Sequence, residues 1–150
     1  MLMTRTFSKI HGLGGLRLGW AYGPASVIDA LNRTRGPFNV SSLALDVGVA
    51  ALSDDAFMAR SADHNEKELD RLVTTLKDLG YQTRPSVGNF FLMQFANREE
   101  AVRADKLLRH RKIVVRDMLS YGLGDYLRIT VGTIAQNDDV IEAFKAFETS

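Results

Sequence analysis

The chain has 150 residues, 45% apolar and 25% charged, with a formal charge of +1; this is enough to build a core, and it offers no global attraction to nucleic acid or an anionic membrane surface. Cysteine is absent, which excludes disulfides and thiolate metal sites, and His11, His64 and His110 are too scattered in sequence to suggest a metal site. No apolar run is long enough to span a bilayer and no basic-then-apolar leader opens the chain, so a cytoplasmic location is expected.

In chain order, Leu2 to Thr6 reads as a short buried strand and Leu16 to Tyr22 as a second, closed by Gly23-Pro24. Pro24 suits the first turn of a helix, where its missing N–H costs nothing; that helix runs from about Ala25 to Thr34 and stops before Gly36-Pro37. Ser and Asn side chains in the loop 38–42 can cap the next helix, Leu43 to Leu52. A long helix is predicted from about Ala56 to Leu79, because Leu69, Leu72, Val73 and Leu76 fall at i, i+3, i+4 and i+7 and share one face. Gly80 is placed as its stop. Asn89 to Phe95 has the composition of a buried strand, and Asn97 precedes a helix to about His110 with Glu100 near a reciprocal cap. Lys112 to Arg116 and Tyr126 to Val131 are predicted strands. Thr133 to Gln136 has capping-box spacing, and Val140, Ile141, Phe144 and Phe147 give a last helix its apolar face. No repeat or low-complexity tract interrupts this order.

The chemistry concentrates in Thr6-Phe7-Ser8-Lys9-Ile10-His11-Gly12-Leu13-Gly14-Gly15-Leu16-Arg17-Leu18-Gly19. An amine flanked by hydroxyls can form a Schiff base with an aldehyde cofactor. Thr6, Ser8 and Arg17 supply hydroxyl donors and a guanidinium fork for that cofactor's phosphate, and the glycines let the backbone turn close to a ligand. A Ser–Lys hydrolase fits less well, since no Ser-x-x-Lys pair accompanies the run. The run closely resembles the lysine segment of fold-type I, pyridoxal-phosphate-dependent aminotransferases of class I/II, and among them the histidinol-phosphate aminotransferases. By that resemblance Lys9 is the catalytic lysine, and Thr6, Ser8, Lys9 and Arg17 bind pyridoxal 5'-phosphate.

The resemblance further implies an α/β fold, the C-terminal part of the pyridoxal-phosphate-dependent transferase fold. Residues 1–55 would be the end of the large cofactor-binding domain, and residues 56–150 a small α+β domain entered through the long helix. Family members carry about two hundred more residues before this lysine, for two domains of ordinary size. Those residues include an aspartate facing the pyridinium nitrogen, an aromatic on the ring, and an asparagine and a tyrosine near the ring oxygen. The 150-residue chain alone is therefore expected to be inactive. Leu16, Leu18, Trp20, Tyr22, Phe38 and Val40 would then leave an apolar patch that drives association or leaves the first third without fixed structure.

Arg128 lies in the apolar run Tyr126-Leu127-Arg128-Ile129-Thr130-Val131-Gly132-Thr133. Alternation alone turns Leu127, Ile129 and Val131 inward and Arg128 outward. The match of this run to the family implies that Arg128 binds the substrate α-carboxylate, and Arg116 matches a family arginine near the substrate's distal group. Arg116 also belongs to a basic neighbourhood from Arg103 onward, partly offset by Glu99, Glu100 and Asp105, which reads equally as a solvated face. Asn89 and His11 read as structural. The function implied is transamination of histidinol phosphate or an aromatic amino acid, with glutamate and 2-oxoglutarate as the exchanging pair, in a homodimer without metal, nucleic acid or membrane. The alternatives are a threonine-phosphate decarboxylase relative, a non-catalytic or oligomerising piece, and a nucleic-acid-binding module built on residues 103–116.

Overall fold

The computed structural model describes residues 1–84 and 86–148, and the chain divides into two compact units, Met1–Asp63 and His64–Ser150. In the first, β1 (Met3–Thr6) pairs antiparallel with β2 (Gly19–Tyr22), Thr6 opposite Gly19 and Met3 opposite Tyr22. The pairing is tight at Gly19, where a Cβ would lie 2.7 Å from the Arg5 carbonyl oxygen. Both strands are largely exposed, contrary to the buried strand expected from Leu2. The second strand also starts later than Leu16. A 3-10 turn takes Gly14–Leu16, and Arg17 adopts left-handed φ of 54°, a conformation that cannot continue a ladder.

Phe7 and Leu18 flank this loop and are its buried residues, joined by a Phe7 N–H to Leu18 O bond of 3.1 Å. They pack on α2 (Ser42–Leu52), which is capped by Ser41 Oγ accepting from the Ala44 N–H at 3.2 Å. Before it, α1 (Ala25–Thr34) has Pro24 just outside the first turn, at the capping position. Trp20, Tyr22 and Phe38 are exposed as expected and Leu16 and Val40 half-buried, but Leu18 is buried against α2. The contact is close: a Cβ on Gly48 would lie 2.4 Å from Leu18 Cδ2. Overpacking of this kind costs about 1–3 kcal/mol. Gly48→Val in the full-length protein is therefore expected to lower the thermal midpoint, and adding Leu18→Ala should recover part of the loss. No drop in Gly48→Val would mean that α2 shifts freely.

The long helix α3 (Asp55–Asp78) ends as a Schellman closure, with Gly80 at φ 91°, Gly80 N–H on Lys77 O and Tyr81 N–H on Leu76 O. In the second unit follow β3 (Gln82–Arg84), β4 (Phe90–Gln94), α4 (Arg98–His110), β5 (Arg116–Asp117), β6 (Tyr126–Thr130) and α5 (Ile134–Glu148). The strands form one antiparallel sheet in the order β3-β4-β6-β5. Phe91, Met93, Leu127 and Ile129 alternate onto one face and meet Leu72, Leu76, Leu108 and Phe144 from the helices, all fully buried. Each such side chain contributes about 1.5–3 kcal/mol of burial. Asn97 Oδ1 caps α4 by accepting from Glu100 N–H, while the Glu100 carboxylate returns to Ala96 N–H rather than to Asn97. The capping box at Thr133 and Gln136 forms in both directions.

The strand expected at Lys112 to Arg116 is reduced to β5. Lys112 has φ 63° and closes α4, its N–H on Arg109 O and the Ile113 N–H on Leu108 O, so the chain is still leaving the helix where pairing was expected. β3 has no apolar alternation to announce it.

A polar cluster ties α3 to the turn between β6 and α5. Asn137, 1% exposed, accepts from Gly132 N–H at 2.8 Å and donates to Gly132 O at 3.2 Å and to Glu68 Oε2 at 2.7 Å. The Arg71 fork meets the same Glu68 carboxylate at 3.0 and 2.7 Å and reaches Asp138 at 2.7 Å. The Arg71 and Asn137 bonds hold the Glu68 carboxyl below its ordinary value of 4.5, against the opposing effect of burial. A carboxyl depressed on folding stabilises the native state above its unfolded pKa, and that stability is lost as pH falls through the folded value. Thermal midpoints of the full-length protein should therefore drop below about pH 4.5, and less steeply in Glu68→Gln. Equal slopes in the two proteins would remove Glu68 from the acid transition.

Candidate active site

The lysine turn is built by short-range bonds. Gly12, at φ 68°, donates its N–H to Lys9 O at 2.9 Å, and Leu13 N–H returns to Phe7 O at 3.0 Å. Thr6 Oγ1 accepts from the Ser8 N–H at 3.0 Å and donates to Ser8 Oγ at 2.8 Å, which leaves the Ser8 hydroxyl proton able to point elsewhere. A Cβ on Gly14 would lie 3.5 Å from Ser8 O, and Arg17 donates to Gly14 O at 2.7 Å. Thr6, Ser8 and Arg17 are thus gathered around one small turn by way of Gly14. Lys9 itself is exposed, and its amine makes no hydrogen bond or ion pair among the described residues. His11 lies under the turn against Phe7, ring centres 4.9 Å apart, in keeping with a structural part.

This donor set suits a phosphorylated aldehyde. Two hydroxyls and a guanidinium can hold a phosphate dianion, and a free amine is available beside them. Gly14 and Gly15 keep the turn free of side chains; nothing lies within 4 Å of a Cβ built on Gly15.

In the second unit the sheet face opposite the core carries the arginines. Leu127 and Ile129 are buried, so Arg128 lies on the outer face as alternation requires. It is half-buried there, with its guanidinium carbon 4.9 Å from the Phe90 ring centre. Its Nε is inaccessible to solvent and unbonded. A buried donor without a partner costs about 1–3 kcal/mol. Arg116 stands directly opposite Arg128 in the ladder, donating to Tyr121 Oη at 2.9 Å. Like charges placed directly across a ladder repel, and among the described residues no carboxylate neutralises either one. The neighbouring Asp117 turns instead to Arg98 at 2.6 Å and to the Leu119 N–H at 2.7 Å, and these bonds hold its carboxyl low. An anion with two oxygens bound between the two guanidinium groups would offset this repulsion.

Phe90 and Tyr121, the aromatic supports of these arginines, were missed in sequence. Phe90 could have been found, because it shares the outward parity of β4 with Leu92, the cross-strand partner of Arg128. Tyr121 comes from a 3-10 turn that has no periodic signal. Thr6, Ser8, Lys9 and Arg17 lie in the first unit, Arg116 and Arg128 in the second. Among the described residues no cluster of His, Asp or Glu could hold a metal, and no helix is long and apolar enough to cross a membrane.

Comparison with known proteins agrees with these features. The model for aminotransferase class I and II matches residues 1–144. The histidinol-phosphate aminotransferase of Granulibacter bethesdensis is 50% identical over 146 residues, 97% of this chain and 40% of that protein. Among solved structures, the histidinol-phosphate aminotransferase of Sinorhizobium meliloti in complex with pyridoxal-5'-phosphate superposes with a TM-score of 0.88 at 23% identity, over 97% of this chain and 41% of that one. L-threonine-O-3-phosphate decarboxylase of Porphyromonas gingivalis gives 0.80 at 27%, over 99% and 47%. The chain spans about two fifths of the curated relatives it matches, and the α/β fold class expected for it stands. With a family model covering nearly its whole length and a relative sharing half its residues, the chain belongs to the class I and II aminotransferases.

Proposed function

We propose that this chain is part of a pyridoxal-phosphate-dependent aminotransferase acting on histidinol phosphate or an aromatic amino acid, with glutamate and 2-oxoglutarate as the exchanging pair. The observation that carries this reading is the exposed Lys9 amine, unpaired among the described residues, in a turn that gathers Thr6, Ser8 and Arg17. We assign residues 1–55 to the large cofactor-binding domain and 56–150 to the small domain of a cytoplasmic homodimer.

The Ser8 and Thr6 hydroxyls and the Arg17 fork hold the cofactor's phosphate. The bound cofactor supplies an electron sink for the substrate carbanion. The Lys9 amine would take the proton from the substrate α-carbon and hold it for return, acting first as base and then as acid. Arg128 grips the α-carboxylate of glutamate through its two-pronged edge. Histidinol phosphate has no carboxylate, so its phosphate takes the same or the neighbouring cation, Arg116.

Borohydride reduction of the full-length protein with pyridoxal phosphate, followed by peptide mapping, should place the label on Lys9. A label on another lysine would overturn the assignment. The likeness to a threonine-phosphate decarboxylase favours one second reading. Release of carbon dioxide from an amino-acid phosphate, without formation of an oxo acid, would favour it over transamination.

A further inference from the structure

The network around Gly132 does more than close a turn. Gly132 follows β6 closely, and both of its backbone polar groups are taken by one side chain, Asn137. Its carbonyl is met a second time by His64 Nε2 at 2.9 Å. One residue along the same helix, Asn65 donates to Gly88 O at 3.2 Å, just before β4. Between the clamped segments, Val131 N–H bonds Asn89 O at 2.9 Å. A single stretch of α3 (His64, Asn65 and Glu68) therefore reaches the chain on both sides of the Phe90–Arg128 contact.

Buried polar groups of this kind are a poor way to gain stability, because well-packed apolar residues of similar volume often serve as well or better. What they add is a fixed backbone position. The fit around Gly132 is close, since a Cβ there would lie 2.7 Å from Gln136 Oε1 and 3.0 Å from Gln136 Cβ. The Glu68 carboxylate that orients the Asn137 amide is itself held by the Arg71 fork. Each member thus fixes the next, ending at the strand that carries Arg128.

We propose that Asn137 and Glu68 are positioning residues for Arg128: through Gly132 they set where its guanidinium meets the substrate carboxylate. The inference rests on the reading that Arg128 binds that carboxylate. It predicts an effect on substrate affinity from residues that touch no substrate, because a displaced guanidinium no longer presents its two donors to the carboxylate in fork geometry.

The test uses the full-length enzyme, with glutamate as substrate. Asn137→Asp sets a carboxylate against Glu68 and removes the donor to Gly132 O; KM for glutamate should rise about tenfold, with a smaller change in kcat. Adding Glu68→Gln restores a donor–acceptor pair between positions 68 and 137 and should recover part of that rise. A merely structural role would lower kcat through loss of active enzyme and leave KM in place. Unchanged KM in Asn137→Asp, or no recovery in the double variant, overturns the proposal. Should Asn137→Asp fail to fold, Glu68→Gln alone is read in the same way, with a rise of about threefold expected and an unchanged KM again decisive. Arg128→Lys is measured alongside. If it leaves KM for glutamate unchanged, the carboxylate reading itself has failed; if it raises KM while the Asn137 and Glu68 variants do not, only the positioning role has failed.

Discussion

Replacing Lys9 by alanine in the full-length enzyme is expected to lower turnover by about 10⁴-fold or more. Positioned proton transfer alone contributes about 10²–10⁴-fold, and in the proposed reading the same amine also provides the covalent hold on the cofactor. Lys9→Arg should be equally inactive, because a guanidinium stays protonated and can neither take the proton nor condense with an aldehyde. The fold should be indifferent to both changes. The Lys9 side chain is exposed and makes no polar contact among the described residues. The turn is instead held by the Gly12 and Leu13 backbone bonds and by Phe7 and Leu18 beneath it. Single-turnover kinetics and thermal midpoints measured together separate the two effects. Turnover in Lys9→Ala within tenfold of the parent would remove Lys9 from the chemistry.

The readability of this chain follows the range over which each feature is determined. Helices announce themselves through local periodicity and caps, so α1 appears at its predicted bounds and α2, α3 and α4 within a residue or so. Strand ends depend on backbone dihedrals that sequence hardly encodes. Arg17 and Lys112 both take positive φ without being glycine, and each delays a strand. The lysine turn was legible because its donors lie within twelve residues and are joined through i+2 and i+3 bonds. The outer face of the small sheet was only half legible. Alternation correctly turned Arg128 away from the core, but outwardness did not mean solvation, since Phe90 and the opposed Arg116 create a partly buried cationic site there. The Glu68–Asn137 bond joins residues 69 apart and had no local signal at all.

Arg128→Ala is expected to lower kcat/KM for glutamate by about 10²–10⁴-fold. Hydrogen bonds to a charged group contribute about 1.5–3 kcal/mol each, and a fork-to-carboxylate contact makes two of them; each 1.36 kcal/mol is a factor of ten. Arg128→Lys should recover only part, because an ammonium cannot reproduce the fork. Without ligand, the alanine variant should lose little stability. Its removal forfeits the contact with Phe90, about 0.5–2 kcal/mol, but it also relieves the repulsion from Arg116 directly across the ladder and removes the stranded Nε. This opposition of signs separates a substrate clamp from a structural arginine, which would lose stability and activity together. Arg116→Ala should harm a phosphate-bearing substrate more than glutamate, since Arg116 stands opposite Arg128 with only Tyr121 as its polar partner among the described residues. Unchanged glutamate kinetics in both Arg128 variants would return Arg128 to an ordinary place on the outer face of the sheet. Equal losses for the two substrates in Arg116→Ala would remove the phosphate-binding role.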